Sequence, residues 1–570
     1  MRYYALACDY DGTLATQGRV GEDTLAALER LRNSGRKLIL VTGRELNDLT
    51  QVFPQTELFE WVVAENGALL YHPASREKKL LCERPLEEFI RALHKRGVDP
   101  LYSGQAIVAT REPNETTVLE VIKDLGLGLQ LIFNKGAVMI LPSGVNKATG
   151  LGVALKELGF SPHNAVGIGD AENDHAFLDM CECSVAVANA LDSVKKRADY
   201  VTSGNHGAGA IELIDKLIAS DLVELEAELK RHEILIGIRK DWREVRLKPY
   251  GDNVLISGTS GSGKSTLATS FLERLTEHGY QFCIIDPEGD YQNLEGAVVL
   301  GTNKRAPVVD EVIKLLENPK QNSVVNLLGI ALKHRPSFLE NLLPALLRLR
   351  ARTGRPHWIV IDEAHHLLPR SWAPTDSIIL QEIQGILLIT VHPDHVSPFI
   401  LSFIDVLIAI GELPEQTIQT FSEALNQNPP SVPISKLKPG EAIAWWRRSE
   451  PEPFEFRSIP PRAERRRHIR KYAEGELGPD RCFFFRGPEG KLNLRAQNLM
   501  VFMQLADGVD DDTWTHHLRR GDYSRWFLEA IKDENLAIDV KMIEEMADIS
   551  PQESRDLIKA KIQEYYTGPV

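Results

Sequence analysis

The sequence contains little cysteine, no excess of positive charge and no long apolar run. Its six cysteines are scattered through 570 residues, which excludes a disulfide framework and is typical of a reducing compartment. A net charge of −14 argues against a generally basic nucleic-acid-binding surface, although a local basic channel stays open. Because no run is long enough to span a bilayer and no signal-peptide pattern is present, we expect a cytoplasmic protein with no membrane contact.

The remaining composition is that of an ordinary globular protein. Hydrophobic residues make up 43% of the sequence and charged residues 26%. A chain of 570 residues is too long for a single hydrophobic core. We therefore expect several domains, each burying a core of its own.

A glycine-rich segment lies near the middle of the chain, where residues 253–267 read NVLISGTSGSGKSTL. The apolar residues before the glycines predict a buried strand, and those after them predict the start of a helix. In this setting backbone N–H groups converge on a polyphosphate, Lys264 reaches the β and γ phosphates, and the Ser265 hydroxyl is placed to ligate Mg²⁺. The predicted ATP-binding residues are Gly258, Thr259, Ser260, Gly261, Ser262, Gly263, Lys264, Ser265 and Thr266.

Three predicted strands in the first part of the chain each end in polar residues. The residues that follow strands 3–8, 37–41 and 165–168 are, in order, Asp9 with Asp11, Thr42, and Asp170 with Asn173 and Asp174. Lys147 begins a predicted helix between the second and third strands. Because ligands gather outside the carboxyl ends of parallel strands, we expect all of these side chains in one crevice.

The motifs DYDGT, VTGR, VNKATG and GDAEND occur in this order and together resemble the Cof-like branch of the haloacid-dehalogenase superfamily of phosphatases. The resemblance implies that Asp9 is the nucleophile that forms an aspartyl-phosphate and that Asp11 is the general acid and then base. It implies that Thr42 and Lys147 hold the phosphoryl oxygens. The ligands that it implies for Mg²⁺ are Asp9, Asp11 through its carbonyl oxygen, and Asp170, supported by Asn173 and Asp174.

These residue types suit phosphoester hydrolysis on chemical grounds. A carboxylate nucleophile divides the reaction into two easier steps. Mg²⁺ and Lys147 offset the repulsion between an anionic phosphate and Asp9. Asp11 has to protonate the leaving alkoxide, which requires an acid whose pKa lies above that of a free carboxylic acid.

A segment of mixed predicted strands and helices interrupts this domain at about residues 71–146. The predicted strands and helices in it include residues 86–96, 106–111, 117–125 and 137–141. In the resembled family, a cap inserted at this place closes over the substrate and sets its identity. The leaving group cannot be identified from this segment.

A second acidic pair, Asp362 and Glu363, follows a predicted strand at residues 357–361. An aspartate at a strand end can bind Mg²⁺ through water, and the following glutamate can polarise the water that attacks the γ phosphate. This pair predicts hydrolysis of ATP beyond binding. His392, after a later predicted strand, is either a sensor of the γ phosphate or a structural residue.

The segments GTSGSGKST, DPEGDY and IVIDEAHHLLP together resemble the motor branch of P-loop ATPases that includes the HerA and FtsK translocases. The resemblance implies rings of subunits, hence a possible homo-oligomer, in which an arginine reaches the neighbour's γ phosphate. The domain is short for a translocase. The candidate arginines, which also suit a solvated or paired helix face, are Arg348, Arg350, Arg352 and Arg355.

The predicted fold class is α/β, with two doubly wound parallel-sheet domains and a mostly helical C-terminal module. The first is a haloacid-dehalogenase-like domain with an α/β cap, and the second is a P-loop NTPase domain. The predicted ranges are 1–220 for the phosphatase domain, 221–247 for a linker helix and short strands, 248–458 for the ATPase domain and 459–570 for the module. A basic run at residues 462–471 predicts either a solvated helix or a nucleic-acid contact.

We therefore predict a bifunctional enzyme, with a Mg²⁺-dependent phosphomonoester phosphatase and an ATP-hydrolysing P-loop domain. Its partners would be ATP and either a phosphorylated small molecule or a phosphorylated nucleic-acid end. One alternative is a nucleic-acid-associated ATPase with an end-processing phosphatase, like a translocase or a polynucleotide kinase-phosphatase. Another is a metabolite phosphatase regulated by a nucleotide-binding assembly domain.

Overall fold

The computed structural model describes residues 1–134, 136–226, 229, 231–374, 378, 383–432, 437–450, 452–462, 482–531 and 533–566. The chain divides into two compact units, Met1–Ile459 and Pro460–Val570. The division falls at the Pro460-Pro461 pair. Of the basic run at residues 462–471, only Arg462 is among the described residues.

The phosphatase domain is built on an eight-stranded sheet in the order β14-β13-β12-β1-β4-β5-β6-β7. Its first six strands in this order are parallel, and β6 and β7 add antiparallel pairs at one edge. The strands of this sheet are β1 (Ala5–Asp9), β4 (Lys37–Val41), β5 (Trp61–Ala64), β6 (Leu69–His72), β7 (Glu77–Leu80), β12 (Ala165–Gly169), β13 (Cys183–Ala186) and β14 (Tyr200–Val201). Two further strands, β2 (Ala15–Thr16) and β3 (Arg19–Val20), pair as a separate two-stranded sheet. The helices are α1 (Glu22–Asn33), α2 (Leu46–Val52), α5 (Lys147–Glu157), α6 (His175–Met180), α7 (Asp192–Lys195) and α8 (His206–Ser220).

The cap is a separate four-stranded antiparallel sheet in the order β10-β11-β9-β8, with two helices packed around its own apolar cluster. It comprises α3 (Glu87–Lys95), β8 (Tyr102–Ser103), β9 (Val108–Arg111), α4 (Glu115–Asp124), β10 (Leu129–Asn134) and β11 (Ala137–Pro142). The cap starts later than the predicted residue 71, because β6 and β7 pair with the main sheet.

The ATPase domain is built on an eleven-stranded mixed sheet in the order β16-β15-β25-β24-β23-β17-β22-β21-β18-β20-β19. Seven strands, from β23 to β19 in this order, are parallel, and the four at the other edge are antiparallel. The strands are β15 (Ile234–Arg239), β16 (Glu244–Leu247), β17 (Val254–Gly258), β18 (Phe282–Asp286), β19 (Ala297–Leu300), β20 (Asn322–Asn326), β21 (Trp358–Ile361), β22 (Ile386–Thr390), β23 (Val406–Ile410), β24 (Glu441–Trp446) and β25 (Phe454–Ser458). The helices are α9 (Lys264–Glu277), α10 (Val309–Leu316), α11 (Arg335–Thr353), α12 (Ala364–Leu367), α13 (Pro398–Ser402) and α14 (Pro414–Ala424).

The segment expected to be a linker, residues 221–247, is structured differently from the expectation. β15 and β16 pair within the ATPase sheet through β25, so they are part of that domain. The connecting helix expected from Asp221 is interrupted, since α8 ends at Ser220 and Asp221 has a left-handed φ of 54°. The Asp221 carboxylate binds Arg36 at 2.8 Å, which ties the turn to the phosphatase core.

Two of the four arginines proposed to reach a neighbouring subunit have buried partners in this chain. Arg350 donates to the carbonyl oxygen of Pro356 at 2.8 Å. Arg355 donates to the Gln281 side chain at 2.9 Å and to the Leu316 carbonyl oxygen at 3.0 Å. Both guanidinium groups therefore fix the local fold, and neither is available to a neighbour.

A buried polar cluster joins the phosphatase and ATPase domains within the first unit. Glu182 of the phosphatase domain accepts hydrogen bonds from His163 and from Tyr280 of the ATPase domain, each at 2.7 Å, and forms an ion pair with Arg2. His163 also lies 2.7 Å from the carbonyl oxygen of His278, at the end of α9. Burial would raise the pKa of Glu182, but the His163 hydrogen bond and the Arg2 charge hold it well below its usual range.

The second unit is a β-hairpin followed by helices. The hairpin strands are β26 (Phe483–Phe485) and β27 (Leu494–Ala496), and the helices are α15 (Leu499–Gly508), α16 (Asp511–Arg519), α17 (Asp522–Trp526), α18 (Glu534–Glu544) and α19 (Pro551–Tyr566). Trp514 and Trp526 pack with the hairpin phenylalanines in one apolar cluster. In the described part of the chain, no helix is both long enough and apolar enough to cross a bilayer.

The Glu182 cluster yields a stability prediction. Glu182→Ala leaves the buried Arg2 with only the more distant Glu226 carboxylate, at 3.9 Å, so we expect a loss of about 3 kcal/mol in the free energy of unfolding at pH 7. Because the folded-state pKa of Glu182 is depressed, its contribution is present above the ordinary glutamate pKa and is lost as pH falls below it. The difference between wild type and variant in urea unfolding should therefore shrink as the pH is lowered from 7 towards 3.

The matched control is Glu157→Ala, because Glu157 forms an exposed ion pair with Lys79 at 3.0 Å. This variant should lose less than about 1 kcal/mol. Equal losses for both variants would contradict the role assigned to Glu182.

Candidate active sites

The first candidate site lies at the carboxyl end of the parallel strands in the phosphatase sheet. Asp9 ends β1, Thr42 follows β4 and Asp170 follows β12. Because β1 pairs with both β4 and β12, these three side chains come from adjacent strands. All three are buried, with exposed fractions of 4%, 1% and 1%. The predicted residues therefore gather in one crevice.

Lys147 connects two of the buried carboxylates in this crevice. Its ammonium group lies 2.5 Å from Asp9 Oδ1 and 2.6 Å from Asp174 Oδ1. Burial, and then the neighbouring Asp174 carboxylate, raise the pKa of Asp9 to about 8. Burial works against the charge on Lys147, but Asp174 and Asp9 raise the pKa of Lys147 above its ordinary value. The position of Lys147 is fixed by α5, which Asn146 begins with a capping box.

Asp11 lies apart from the buried carboxylates, at the mouth of the crevice. Arg44 donates two hydrogen bonds to its carboxylate, at 2.7 and 2.8 Å. The Asp11 side chain is 41% exposed, so solvent or substrate can reach it. The backbone N–H of Arg44 donates to Thr42 Oγ1 at 3.1 Å, which links this pair to the neighbouring strand end.

The donor set in the crevice fits a magnesium ion. One carboxylate oxygen each of Asp9, Asp170 and Asp174 lies within 4.8 Å of the others, and oxygen ligands are those that Mg²⁺ prefers. Asp174 also accepts the backbone N–H groups of Asp170 and Ala171 at 2.8 and 2.9 Å, so it orients the loop as well. The buried Asn173 Oδ1 has no hydrogen-bond partner among the described residues and can serve as a further acceptor.

The second candidate site surrounds the loop between β17 and α9. Lys264 is buried and donates to the carbonyl oxygens of Gly258 and Thr259 at 3.0 and 2.9 Å. Burial lowers the pKa of Lys264, and the Glu363 and Asp362 carboxylates nearby oppose that shift. A Cβ on Gly258 would lie 1.9 Å from the carbonyl oxygen of Ile410, so only glycine fits where the loop leaves its strand.

The acidic pair of this site follows β21, which is separated from β17 by β22. Burial raises the pKa of Asp362 to about 8, and burial together with Glu288 raises the pKa of Glu363. Glu363 has a left-handed φ of 44°, a conformation that is often kept at functional sites. Its carboxylate lies 3.4 Å from His365 Nδ1.

No role is predicted from the sequence for three residues that contact these sites: Arg44, His365 and Thr390. Arg44 was visible only as a letter of the VTGR motif. His365 lies between Glu363 and Thr390, whose Oγ1 is 3.0 Å from His365 Nδ1. Burial lowers the pKa of His365 to about 4, so its imidazole is neutral at pH 7. From the sequence, Thr390 could have been recognised as a candidate only by its hydroxyl group at the end of the strand β22.

Asp286 and His392, which lie at or just after the ends of two strands of this domain, both make hydrogen bonds to residues close to them in the sequence. The Asp286 carboxylate accepts the backbone N–H groups of Gly289, Asp290 and Tyr291 at 2.7, 3.1 and 3.0 Å. It therefore shapes the loop of the DPEGDY segment. His392 is exposed and donates its backbone N–H to Thr390 Oγ1 at 3.1 Å.

Comparisons with known proteins agree with the first site. A family model described as haloacid dehalogenase-like hydrolase matches residues 6–125 and 131–214. Phosphoglycolate phosphatase from Methanothermobacter thermautotrophicus is 30% identical over 223 residues, which cover 38% of this chain and 98% of that protein. Phosphoglycolate phosphatase from Methanosarcina acetivorans is 28% identical over 222 residues, covering 38% and 97%. The chain belongs, through this region, to the haloacid dehalogenase-like hydrolase family.

A second family model, described as an AAA ATPase domain, matches residues 244–384, which contain the phosphate loop and the acidic pair. The chain is therefore an enzyme that combines a phosphatase with an ATPase. The match reaches the AAA ATPase level and does not single out the HerA and FtsK branch. Among solved structures, a haloacid dehalogenase-like hydrolase from Bacteroides thetaiotaomicron is 19% identical, covers 38% of this chain and 99% of its own, and has a TM-score of 0.33.

The two sites predict reciprocal variants. Asp9→Asn removes the carboxylate predicted to be the nucleophile, so hydrolysis of p-nitrophenyl phosphate should fall on the order of a thousand-fold or more while ATP hydrolysis is retained. Lys264→Ala should reduce ATP hydrolysis on the order of a hundred-fold and leave the phosphatase active. Both activities are measured as phosphate release from the same preparations. Survival of phosphatase activity in Asp9→Asn would show that another residue is the nucleophile.

Proposed function

We propose that this protein is a Mg²⁺-dependent phosphomonoester phosphatase that works through an aspartyl-phosphate, fused to a domain that hydrolyses ATP. The observation that carries the proposal is the buried Asp9 carboxylate, which contacts Lys147 at 2.5 Å and shares its crevice with two further carboxylates. Anionic groups gathered out of water in this way need cations, and a metal ion supplies the missing positive charge and also a partner for a phosphate ester.

We assign the chemical steps from the roles that the family resemblance implies for these residues. Asp9 attacks phosphorus, the ester bond breaks, and Asp11 gives its proton to the leaving alkoxide. Asp11 then takes a proton from water, which attacks the aspartyl-phosphate and releases inorganic phosphate. Thr42 and Lys147 hold the phosphoryl oxygens during both steps. Asp9, Asp170 and the Asp11 carbonyl oxygen would hold Mg²⁺, which supplies positive charge for the transferring group.

We infer that the substrate is a small phosphomonoester that carries a second anionic group, of which phosphoglycolate is the leading candidate. The curated relatives named above are phosphoglycolate phosphatases. In this chain, Arg44 lies beside Asp11 at the crevice mouth and is 25% exposed. A substrate carboxylate can compete with Asp11 for this guanidinium, which would release the Asp11 side chain for the first step.

A second candidate function is a phosphatase whose rate responds to nucleotide binding. The observation that favours it is the position of α9. This helix starts at Lys264 in the phosphate loop and ends next to His278, whose carbonyl oxygen contacts His163 of the phosphatase domain. A shift of this helix on nucleotide binding would act directly on the polar cluster around Glu182. Translocase-like ring formation and DNA end processing stay predictions, and the substrate panel below tests the second of them.

Removal of metal should stop both reactions. With chelator, phosphate release from p-nitrophenyl phosphate and from ATP should fall to background, and added Mg²⁺ should restore both. Asn173→Ala should raise the Mg²⁺ concentration needed by the phosphatase about tenfold, because it removes an outer support of the site, and should leave the Mg²⁺ requirement of ATP hydrolysis unchanged. Phosphatase activity that is indifferent to chelation would contradict the metal requirement.

A substrate panel tests both the substrate class and the coupling. Formation of the dephosphorylated product is measured from phosphoglycolate, sugar phosphates, nucleoside monophosphates and 5′- and 3′-phosphorylated oligonucleotides, each with and without ATP, because ATP hydrolysis also releases phosphate. We expect the highest kcat/KM for phosphoglycolate, and a change on adding ATP that Lys264→Ala abolishes. A preference for phosphorylated oligonucleotides would favour the nucleic-acid alternative instead.

A further inference from the structure

Glu65 is a buried carboxylate of the phosphatase domain that the steps above do not use. Its side chain is 0% exposed, and no ion pair joins it to a cation in the described part of the chain. It accepts hydrogen bonds from the backbone N–H groups of Gln105, Ala106 and Ile107, at 3.0, 2.7 and 3.1 Å. We call residues 105–107 the cap loop. Since backbone N–H groups stabilise a buried charge, the cap loop and this carboxylate hold each other in place.

The contact between Glu65 and the cap loop is closely fitted. A Cβ on Gly104 would lie 2.8 Å from Glu65 Oε2, so a larger residue would push the loop off the carboxylate. Glu65 and Asn66 both adopt left-handed backbone conformations, with φ values of 51° and 54°. Consecutive non-glycine residues in this region are strained, and such strain persists where the surrounding structure requires it.

The backbone of Glu65 is attached to the strand end that carries Thr42. Its N–H donates to the carbonyl oxygen of Arg44 at 2.9 Å, and the next N–H, of Asn66, donates to the carbonyl oxygen of Thr42 at 3.0 Å. The Asn66 side chain accepts from Asn173 at 3.1 Å. The turn that presents Glu65 is therefore fixed to two of the loops that form the catalytic crevice.

On the other side, the cap loop packs against residues that face the crevice. Ala106 and Ile107 belong to an apolar cluster that also contains Met139 of the cap strand β11. The Met139 sulfur lies 3.4 Å from the point where a Cβ on Gly43 would lie, directly after Thr42. The Met139 side chain therefore transmits a displacement of the cap loop to the wall of the crevice.

We propose that Glu65 is a positioning residue of the phosphatase reaction, whose carboxylate docks the cap loop and so holds the cap in register over the catalytic aspartates. It touches neither the nucleophile nor the phosphoryl group. Its effect on the rate passes through the placement of the cap, which decides how completely the substrate is enclosed. Misplacement of such an element by about 1 Å is enough to cost on the order of a hundred-fold in rate.

The test compares Glu65→Ala, Glu65→Gln and wild type in the full chain. Amide hydrogen exchange of residues 105–107 should accelerate about tenfold or more in Glu65→Ala, while exchange in β1 and β12 stays unchanged. With p-nitrophenyl phosphate as the probe, kcat/KM should fall on the order of a hundred-fold. In Glu65→Gln both effects should be smaller, because one side-chain oxygen can still accept the Ala106 and Ile107 N–H groups, which share Oε2 in the wild type.

The matched control is Glu77→Ala, since Glu77 is an exposed glutamate on β7 at the edge of the same sheet. It should change neither the exchange of the cap loop nor kcat/KM. Unchanged exchange at residues 105–107 in Glu65→Ala would overturn the proposal, as would faster exchange with unchanged kcat/KM. Faster exchange throughout β1 and β12 would show that Glu65 supports the whole fold instead of positioning the cap.

Discussion

Burial of carboxylates at the ends of parallel strands is the constraint on which the phosphatase domain depends. Asp9, Asp170 and Asp174 are at most 4% exposed and lie close together, so their charges need positive partners. Lys147 meets part of this need from α5 by contacting Asp9 and Asp174. The pKa of Asp9 is still raised to about 8, first by burial and then by the neighbouring Asp174 carboxylate. The remaining negative charge suits a metal ion.

The same electrostatic rule explains how the domains of the first unit are joined. Glu182 is buried between the phosphatase and ATPase domains, where Arg2, His163 and Tyr280 surround its carboxylate. These partners come from both domains, so separating the domains would expose the cluster and leave its charges unpaired. The helix α9 starts at the phosphate loop and ends beside the Glu182 cluster. The predicted nucleotide site and this cluster therefore lie at opposite ends of one helix.

Several features were predictable because they depend on local sequence. The strands that carry Asp9, Thr42 and Asp170 are short apolar runs, and their shared edge follows from the geometry of parallel strands. The phosphate loop was predictable because its glycines and its lysine stand at fixed spacing. By contrast, the edge strands β15 and β16 of the ATPase sheet lie in the segment predicted to be a linker, since a short alternating segment gives no sign of which sheet it will join.

By itself, the sequence determined which residue types end each strand, and therefore the two reaction classes. Only the tertiary structure decided the partners of the charged groups: Arg44 with Asp11, Glu65 with the cap loop, and Glu182 with residues of the other domain. These contacts join positions that are between 33 and 98 residues apart. Their formation depends on how sheets and loops pack, and no local pattern of hydrophobicity or charge encodes that.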